Sequence, residues 1–149
     1  MLKHIQSASS KVFRKSFLIL FILWFTKMTG QDSDFQVRSI TLDQNGDLAI
    51  EFPTAEGSYY LLKRGDTVDL TDQGVAGQIG QDGTGILRDV TVNGVIRAFY
   101  VVEKISVDAP LDMDEDGMDD LFELQYPDFL NPFDDSDAAL DFDQDGSSN

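Results

Sequence analysis

From Asp34 to about Val107, apolar and polar positions alternate in short runs broken by turn-forming residues. A period of two is the mark of half-buried strands. Phe35–Leu42 alternates loosely, and Asp47–Phe52 places Leu48, Ile50 and Phe52 on one face. Between them, Asp43-Gln44-Asn45-Gly46 predicts a hairpin turn, because Asn and Gly both tolerate positive φ. Ser58–Lys63 predicts a third strand, ended by a turn at Arg64-Gly65-Asp66. Gly74 to Gly85 holds five glycines and predicts one or two turns around weak strand pieces. Ile86–Val92 and Val95–Ile105 predict another hairpin with Asn93-Gly94 at its tip, and its last strand, Ile96–Glu103, is apolar enough to be central. Six or seven short strands in about 70 residues, with no helical period, argue for a mainly β fold: a small antiparallel β-sandwich, or a small barrel.

The N-terminus follows a different pattern. Lys3, Lys11, Arg14 and Lys15 precede an apolar run of nine residues, Phe17 to Phe25. A bilayer core of ~30 Å needs about 20 residues, so the run is too short to span it and fits the apolar region of a signal peptide. Residues 1–30 are therefore expected to be a signal peptide cleaved near Gly30, with no stable membrane span afterwards. Lys27 and Met28 are poor residues before a cut, which leaves an uncleaved anchor as the alternative. No cysteine follows the run, so lipid attachment there is excluded. The expected location is secreted, extracellular or on the cell surface, with the periplasm as a further compartment.

Charge sharpens the division. The whole chain carries a net charge of −16, yet residues 1–30 hold five Lys/Arg and no acid. The rest sets six basic side chains against all 27 acidic ones, a net of −21. Residues 108–149 alone hold fifteen Asp/Glu and no Lys or Arg. Such a surface repels nucleic acid and anionic membranes and attracts divalent cations. The chain has no cysteine, and its one histidine, His4, lies in the signal segment. That removes histidine-based acid–base catalysis, catalytic triads and thiol nucleophiles. Paired carboxylates for glycoside hydrolysis need a concave site that so small a sandwich hardly offers. No enzyme is expected.

The acidic tail carries the most specific chemistry. Asp112, Asp114 and Asp116 stand at positions 1, 3 and 5 of a twelve-residue loop, with Gly117 at position 6 where the chain turns sharply. Met118 would offer its carbonyl at position 7, Asp120 stands at 9 and Glu123 supplies a carboxylate at 12, the ligand spacing of a calcium loop. Twenty-nine residues later, Asp141, Asp143, Asp145 and Gly146 restart the motif, with Ser147 at the carbonyl position. Unscreened carboxylates at ~4 Å repel each other by about 4 kcal/mol at an effective dielectric near 20, so a divalent ion makes sense of the crowding. The alternative is a solvated acidic tail with chance spacing. An EF-hand would need an incoming helix, which Pro110 and the preceding strand disfavour. A short helix is expected over Met118–Tyr126, stopped by Pro127, with Leu121, Leu124 and Phe122 available to pack back on the β domain.

These residues resemble a known motif. Asp112–Glu123 is similar to the D-x-D-x-D-G-x-x-D-x-x-[DE] pattern of thrombospondin type 3 repeats and to EF-hand-like aspartate-rich repeats of secreted bacterial proteins. Leu130–Leu140 resembles the linker between such repeats. The resemblance implies that Asp112, Asp114, Asp116, Glu123 and the Met118 carbonyl bind one Ca2+, and that Asp141, Asp143, Asp145 and Ser147 begin a second site. The chain lacks the cysteines of animal repeats, and its last residue, Asn149, stands at position 9 of the second loop. That makes the second site either incomplete or part of a longer array. More loosely, the β segment resembles fibronectin type III-like or immunoglobulin-like modules, with a Tyr-containing strand and a closing Phe99-Tyr100-Val101-Val102 strand.

The expected organisation is a signal peptide (1–30), a β-sandwich domain (31–107) and a calcium-binding repeat region (108–149). The expected function is a secreted, calcium-binding structural or interaction module whose acidic tail is ordered by calcium. The alternative is a carbohydrate- or protein-recognition sandwich, or an exported fragment of a larger adhesin or enzyme, with a calcium-stiffened linker. Its partner would be an extracellular protein or polysaccharide. Tyr59, Tyr60, Phe99 and Tyr100 could form a stacking platform, although alternation predicts one core ring and one surface ring from each pair. Arg64-Gly65-Asp66 matches an adhesion tripeptide but reads as a turn.

Overall fold

A computed structural model describes residues 35–69, 71–92 and 97–149. The signal-peptide segment and the Asn93-Gly94 turn lie outside the described residues. Among the described residues six strands form: β1 (Ser39–Leu42), β2 (Leu48–Thr54), β3 (Ser58–Gly65), β4 (Gln73–Ile79), β5 (Gly83–Asp89) and β6 (Phe99–Ser106). They build two three-stranded antiparallel sheets, ordered β1-β2-β5 and β4-β3-β6. The mainly β architecture expected from the alternation is present.

The alternating residues meet between the sheets. Leu48, Ile50, Phe52 and Leu87 from one sheet and Tyr60, Leu62, Tyr100 and Val102 from the other are buried in one cluster, with Phe35. Phe35 lies near parallel to Tyr60, at 5.8 Å between ring centroids, and edge-on to Phe52 at 5.9 Å. Such ring pairs add to what area burial alone supplies. The predicted β1–β2 turn forms, but only Gly46 takes positive φ, at 89°. Asp43 organises the rest of it by accepting from the Asn45 and Asp47 amides at 2.8 and 3.0 Å. Pro53 is accommodated within β2 because β1 pairs only as far as Glu51, so no ladder bond is lost there.

Four local expectations are corrected. Arg64-Gly65 is not a turn: both residues belong to β3, and the Arg64 guanidinium donates to Asp89 Oδ2 at 2.7 Å. The glycine-rich stretch holds almost all of β4 and the start of β5, two strands that pair in different sheets. For the same reason β5 and β6 do not form a hairpin, since β5 pairs with β2 and β6 with β3. Finally, Tyr59 is not a surface ring. It is fully buried on the outer face of the β4-β3-β6 sheet with Leu61 and Ile105, under Leu121, Leu124 and Phe133 of the tail. That sheet is therefore covered on both sides.

The β4 glycines explain how. A Cβ at Gly74 would overlap the Phe133 ring, and one at Gly77 would stand 2.9 Å from a Leu124 methyl. These two glycines let the tail approach the strand backbone closely, as bare backbone allows. The tail begins with no helix: β6 ends at Ser106, a turn closes with the Ala109 amide donating to the Ser106 carbonyl, and the first loop follows. Its short helix, α1 (Asp120–Glu123), is capped by Asp119, which accepts from the Phe122 amide at 2.8 Å. Leu121 and Leu124 pack inward as expected, whereas Phe122 is exposed and pairs with Tyr126. Among the described residues no helix is long and apolar enough to cross a membrane.

Within the sandwich the most demanding polar group is Asp89, fully buried and ion-paired with Arg64. Burial opposes its ionisation, but the Thr91 hydroxyl and amide, the Tyr100 hydroxyl and Arg64 together hold it below the usual carboxylate range. Replacing Asp89 with Ala removes the buried carboxylate that Arg64, Thr91 and Tyr100 share, so urea denaturation should show a loss of about 3–5 kcal/mol. A loss under about 1 kcal/mol, the range of an exposed pair, would contradict this account.

Candidate metal centre

The two aspartate-rich loops are geometric copies. Glu115 and Gln144, at position 4, both take left-handed backbone at φ 64° and 62°, and Gly117 and Gly146 follow at 99° and 91°. The glycine amides reach back to position 1, Gly117 to Asp112 Oδ2 at 3.1 Å and Gly146 to Asp141 Oδ2 at 2.9 Å. Position 5 amides donate to position 3 carboxylates, Asp116 to Asp114 at 3.3 Å and Asp145 to Asp143 at 3.1 Å. The residues expected to offer carbonyls, Met118 and Ser147, donate their amides to Asp116 and Asp145 at 2.7 and 2.8 Å. Each turn thereby folds its carboxylates towards a common centre.

The carboxylates gather in three groups, each with one oxygen per residue lying within 4.8 Å of the others: Asp112, Asp114 and Asp116; Asp116, Glu123 and Asp137; and Asp141, Asp143 and Asp145. Oxygens bound to one calcium at 2.3–2.6 Å can be no more than about 5 Å apart, so each group is compact enough for one ion. The structure thus assembles every expected aspartate at positions 1, 3 and 5. It places Glu123 against Asp137 as well as Asp116, and Asp137 was not among the residues singled out from the sequence. Asp137 opens a 3₁₀ turn (Asp137–Ala139) and is 6% exposed.

Asp120 stands outside all three groups. Its two oxygens accept from the Met113 amide at 2.7 Å and the Tyr59 hydroxyl at 3.0 Å, and its own amide donates to the Leu111 carbonyl at 2.8 Å. Asn149 does the same in the second loop: its amide donates to Leu140 at 2.7 Å and its Oδ1 accepts from Phe142 at 3.3 Å. Position 9 is therefore a latch that closes the loop by accepting an amide proton. An Asn in the second copy was the sequence signal for this, because a latch needs an acceptor and not a charge.

The first loop differs from the second in burial. Asp141, Asp143 and Asp145 are exposed, while Glu123 has no exposed surface at all. Both Glu123 carboxylate oxygens lack a hydrogen-bond partner, as do Asp114 Oδ2, Asp116 Oδ2 and Asp137 Oδ1. Buried polar atoms are almost always paired, so five orphans in one place call for a missing donor of positive charge. Burial and the neighbouring Asp114, Asp116 and Asp137 charges push the Glu123 carboxyl up to about 8. Burial, reinforced by Asp116, also raises Asp114 and Asp137. The donor set is all oxygen. The chain has no cysteine, and its single histidine lies at position 4, so the site suits a hard divalent cation.

No protein-family model, curated protein or solved structure matches this chain. The site's geometry therefore carries the functional reading.

Two outcomes follow. Tyr59 both accepts from the Leu111 amide at 2.8 Å and donates to Asp120, so Tyr59→Phe should lower stability by about 1–3 kcal/mol in urea denaturation, and an unchanged midpoint would refute the latch. Without metal, Glu123 binds its proton more tightly folded than unfolded. Its contribution to stability is then fully present below the ordinary value of 4.5 and is lost as pH rises through about 8. In EDTA the melting temperature should fall between about pH 5 and 8, and Glu123→Gln should flatten that fall. A melting temperature that rises over this range in EDTA would contradict the assignment.

Proposed function

We propose that this chain is an exported, calcium-binding structural or interaction module, in which calcium orders the acidic repeat and fixes it to a β-sandwich. The observation that carries the reading is Glu123, fully buried with both carboxylate oxygens unpartnered and facing Asp116 and Asp137. A proton satisfies one such oxygen poorly and leaves its neighbours repelling; a divalent cation satisfies all of them at once. Calcium is favoured because it accepts six to eight oxygen ligands in irregular geometry, whereas magnesium demands near-ideal octahedra and holds its waters. Loops of this kind bind at about 10⁻⁴–10⁻³ M outside cells, where the ion is plentiful.

Export is supported by the N-terminal basic and apolar segment. The role is read as structural, since Glu123, central to the first loop's carboxylates, is fully buried away from any substrate. Recognition through an aromatic face of the sandwich gains nothing from Tyr60 and Tyr100, which are 1% and 3% exposed. A protein or polysaccharide partner would instead meet the repeat, whose Phe129 and Phe142 rings pair on the surface at 5.5 Å.

Thermal melts test the proposal. Adding about 10 mM calcium to the chelated protein should stabilise it by about 1–3 kcal/mol, a rise of roughly 5–15 °C, with a smaller response to magnesium. Glu123→Gln should remove most of that rise. No change at millimolar calcium would sink the reading.

A further inference from the structure

We infer that Asp116, Glu123 and Asp137 form a divalent-cation position whose third ligand comes from the connector between the loops, so that the cation clasps the connector onto the β-sandwich. The inference rests on the calcium reading of the first loop and adds to it a ligand that the twelve-residue loop does not contain.

Three elements converge on the position. Asp116 comes from the loop, Glu123 from α1 and Asp137 from the 3₁₀ turn fourteen residues further on. Glu123 is fully buried and Asp137 is 6% exposed. Glu123 Oε1 and Oε2, Asp116 Oδ2 and Asp137 Oδ1 all lack partners. The other Asp137 oxygen is already committed, accepting from the Asn131 amide at 2.8 Å. That bond turns the carboxylate so that Oδ1 faces Glu123, the arrangement in which one oxygen is oriented by the protein and the other is left for a metal. Two further bonds hold the connector: the Leu130 amide donates to the Tyr126 carbonyl at 2.9 Å and the Asp137 amide to Asp134 at 3.2 Å.

What lies between Glu123 and Asp137 gives the position its consequence. Leu124 and Phe133 lie against the outer face of the β4-β3-β6 sheet, over Gly77 and Gly74. Drawing Glu123 and Asp137 together closes a loop that carries both of these side chains and the buried Leu130. Without a cation the carboxylates at the loop's neck repel each other, and the repulsion opposes docking of Phe133. With a cation the neck is closed and the repeat is mounted on the sandwich in one orientation. The group Asp141, Asp143 and Asp145 has no such neck; all three are exposed and none of their oxygens is a buried, unpartnered one.

The test compares the wild-type chain with Asp137→Asn and, as a control outside the three carboxylate groups, the exposed Asp72→Asn, by calcium calorimetry and amide hydrogen exchange. Asp137→Asn should weaken the tighter calcium binding at least about tenfold. It should also abolish calcium-induced protection of the Asn131 amide and its neighbours up to residue 139. Asp72→Asn should leave both unchanged. Because removing a charge from a crowded cluster relieves repulsion, the melting temperature of Asp137→Asn in EDTA should equal or exceed that of wild type. A variant that melts lower in EDTA would mean that Asp137 acts through the Asn131 turn alone, and would overturn the ligand assignment. Wild-type affinity and protection in Asp137→Asn, with calcium still bound, would overturn the clasp and leave the calcium reading standing. No calcium binding by the wild-type chain would overturn both.

Discussion

Glu123 sets the problem that the tail has to solve. A carboxylate removed from water without a donor is among the costliest groups a small protein can bury, and here it is buried beside four aspartates that share its charge, Asp114, Asp116, Asp137 and Asp120. Leu121 on α1 and Leu124 at its C-terminal cap pack against Tyr59, Leu61 and Ile105, while Glu123 points away from that face and is buried against Asp116 of the loop and Asp137 of the connector. A cation bound among these carboxylates would make that burial compatible with their charge, so on the proposed reading calcium binding is the counterpart of the tail's apolar packing.

The same linkage explains the two-sided sheet. A six-stranded sandwich of this size buries a modest core, and small domains gain from any additional covering. Residues after Ser106 supply it by laying Leu124 and Phe133 over two glycines of β4. Tyr59 joins the layers: its ring belongs to the apolar cluster, while its hydroxyl bridges the Leu111 amide and Asp120. Burial and the Asp120 carboxylate push that hydroxyl far above its ordinary value, keeping it a donor throughout the accessible pH range. The first loop is therefore built on the sandwich and differs from its exposed copy at Asp141–Asn149, although both share their turn geometry residue for residue.

Local periodicity made much of this legible. Leu48, Ile50 and Phe52 announced a buried face, and the repeated Asp-x-Asp-x-Asp-Gly gave both turns with their carboxylates assembled. What sequence spacing could not convey was long-range pairing. β4 is glycine-rich because a tail some 50 residues away must approach it, so a strand built for close contact read as a turn. Arg64 read as part of a turn because its partner, Asp89, is distant in the chain. Asp137 looked like a linker residue because its role depends on a fold-back of fourteen residues onto Glu123. Asp120 fitted a ligand position by count, but a tyrosine from β3 takes one of its oxygens.

The central claim is that a cation occupies the space bounded by Asp116, Glu123 and Asp137. It is tested most directly by a crystal structure of the protein grown with calcium, using long-wavelength anomalous scattering to locate the ion. The account predicts an anomalous peak among those three side chains, about 2.3–2.6 Å from an oxygen of each. An empty position in saturating calcium, with a protonated Glu123 hydrogen-bonded directly to Asp116 or Asp137, would contradict it.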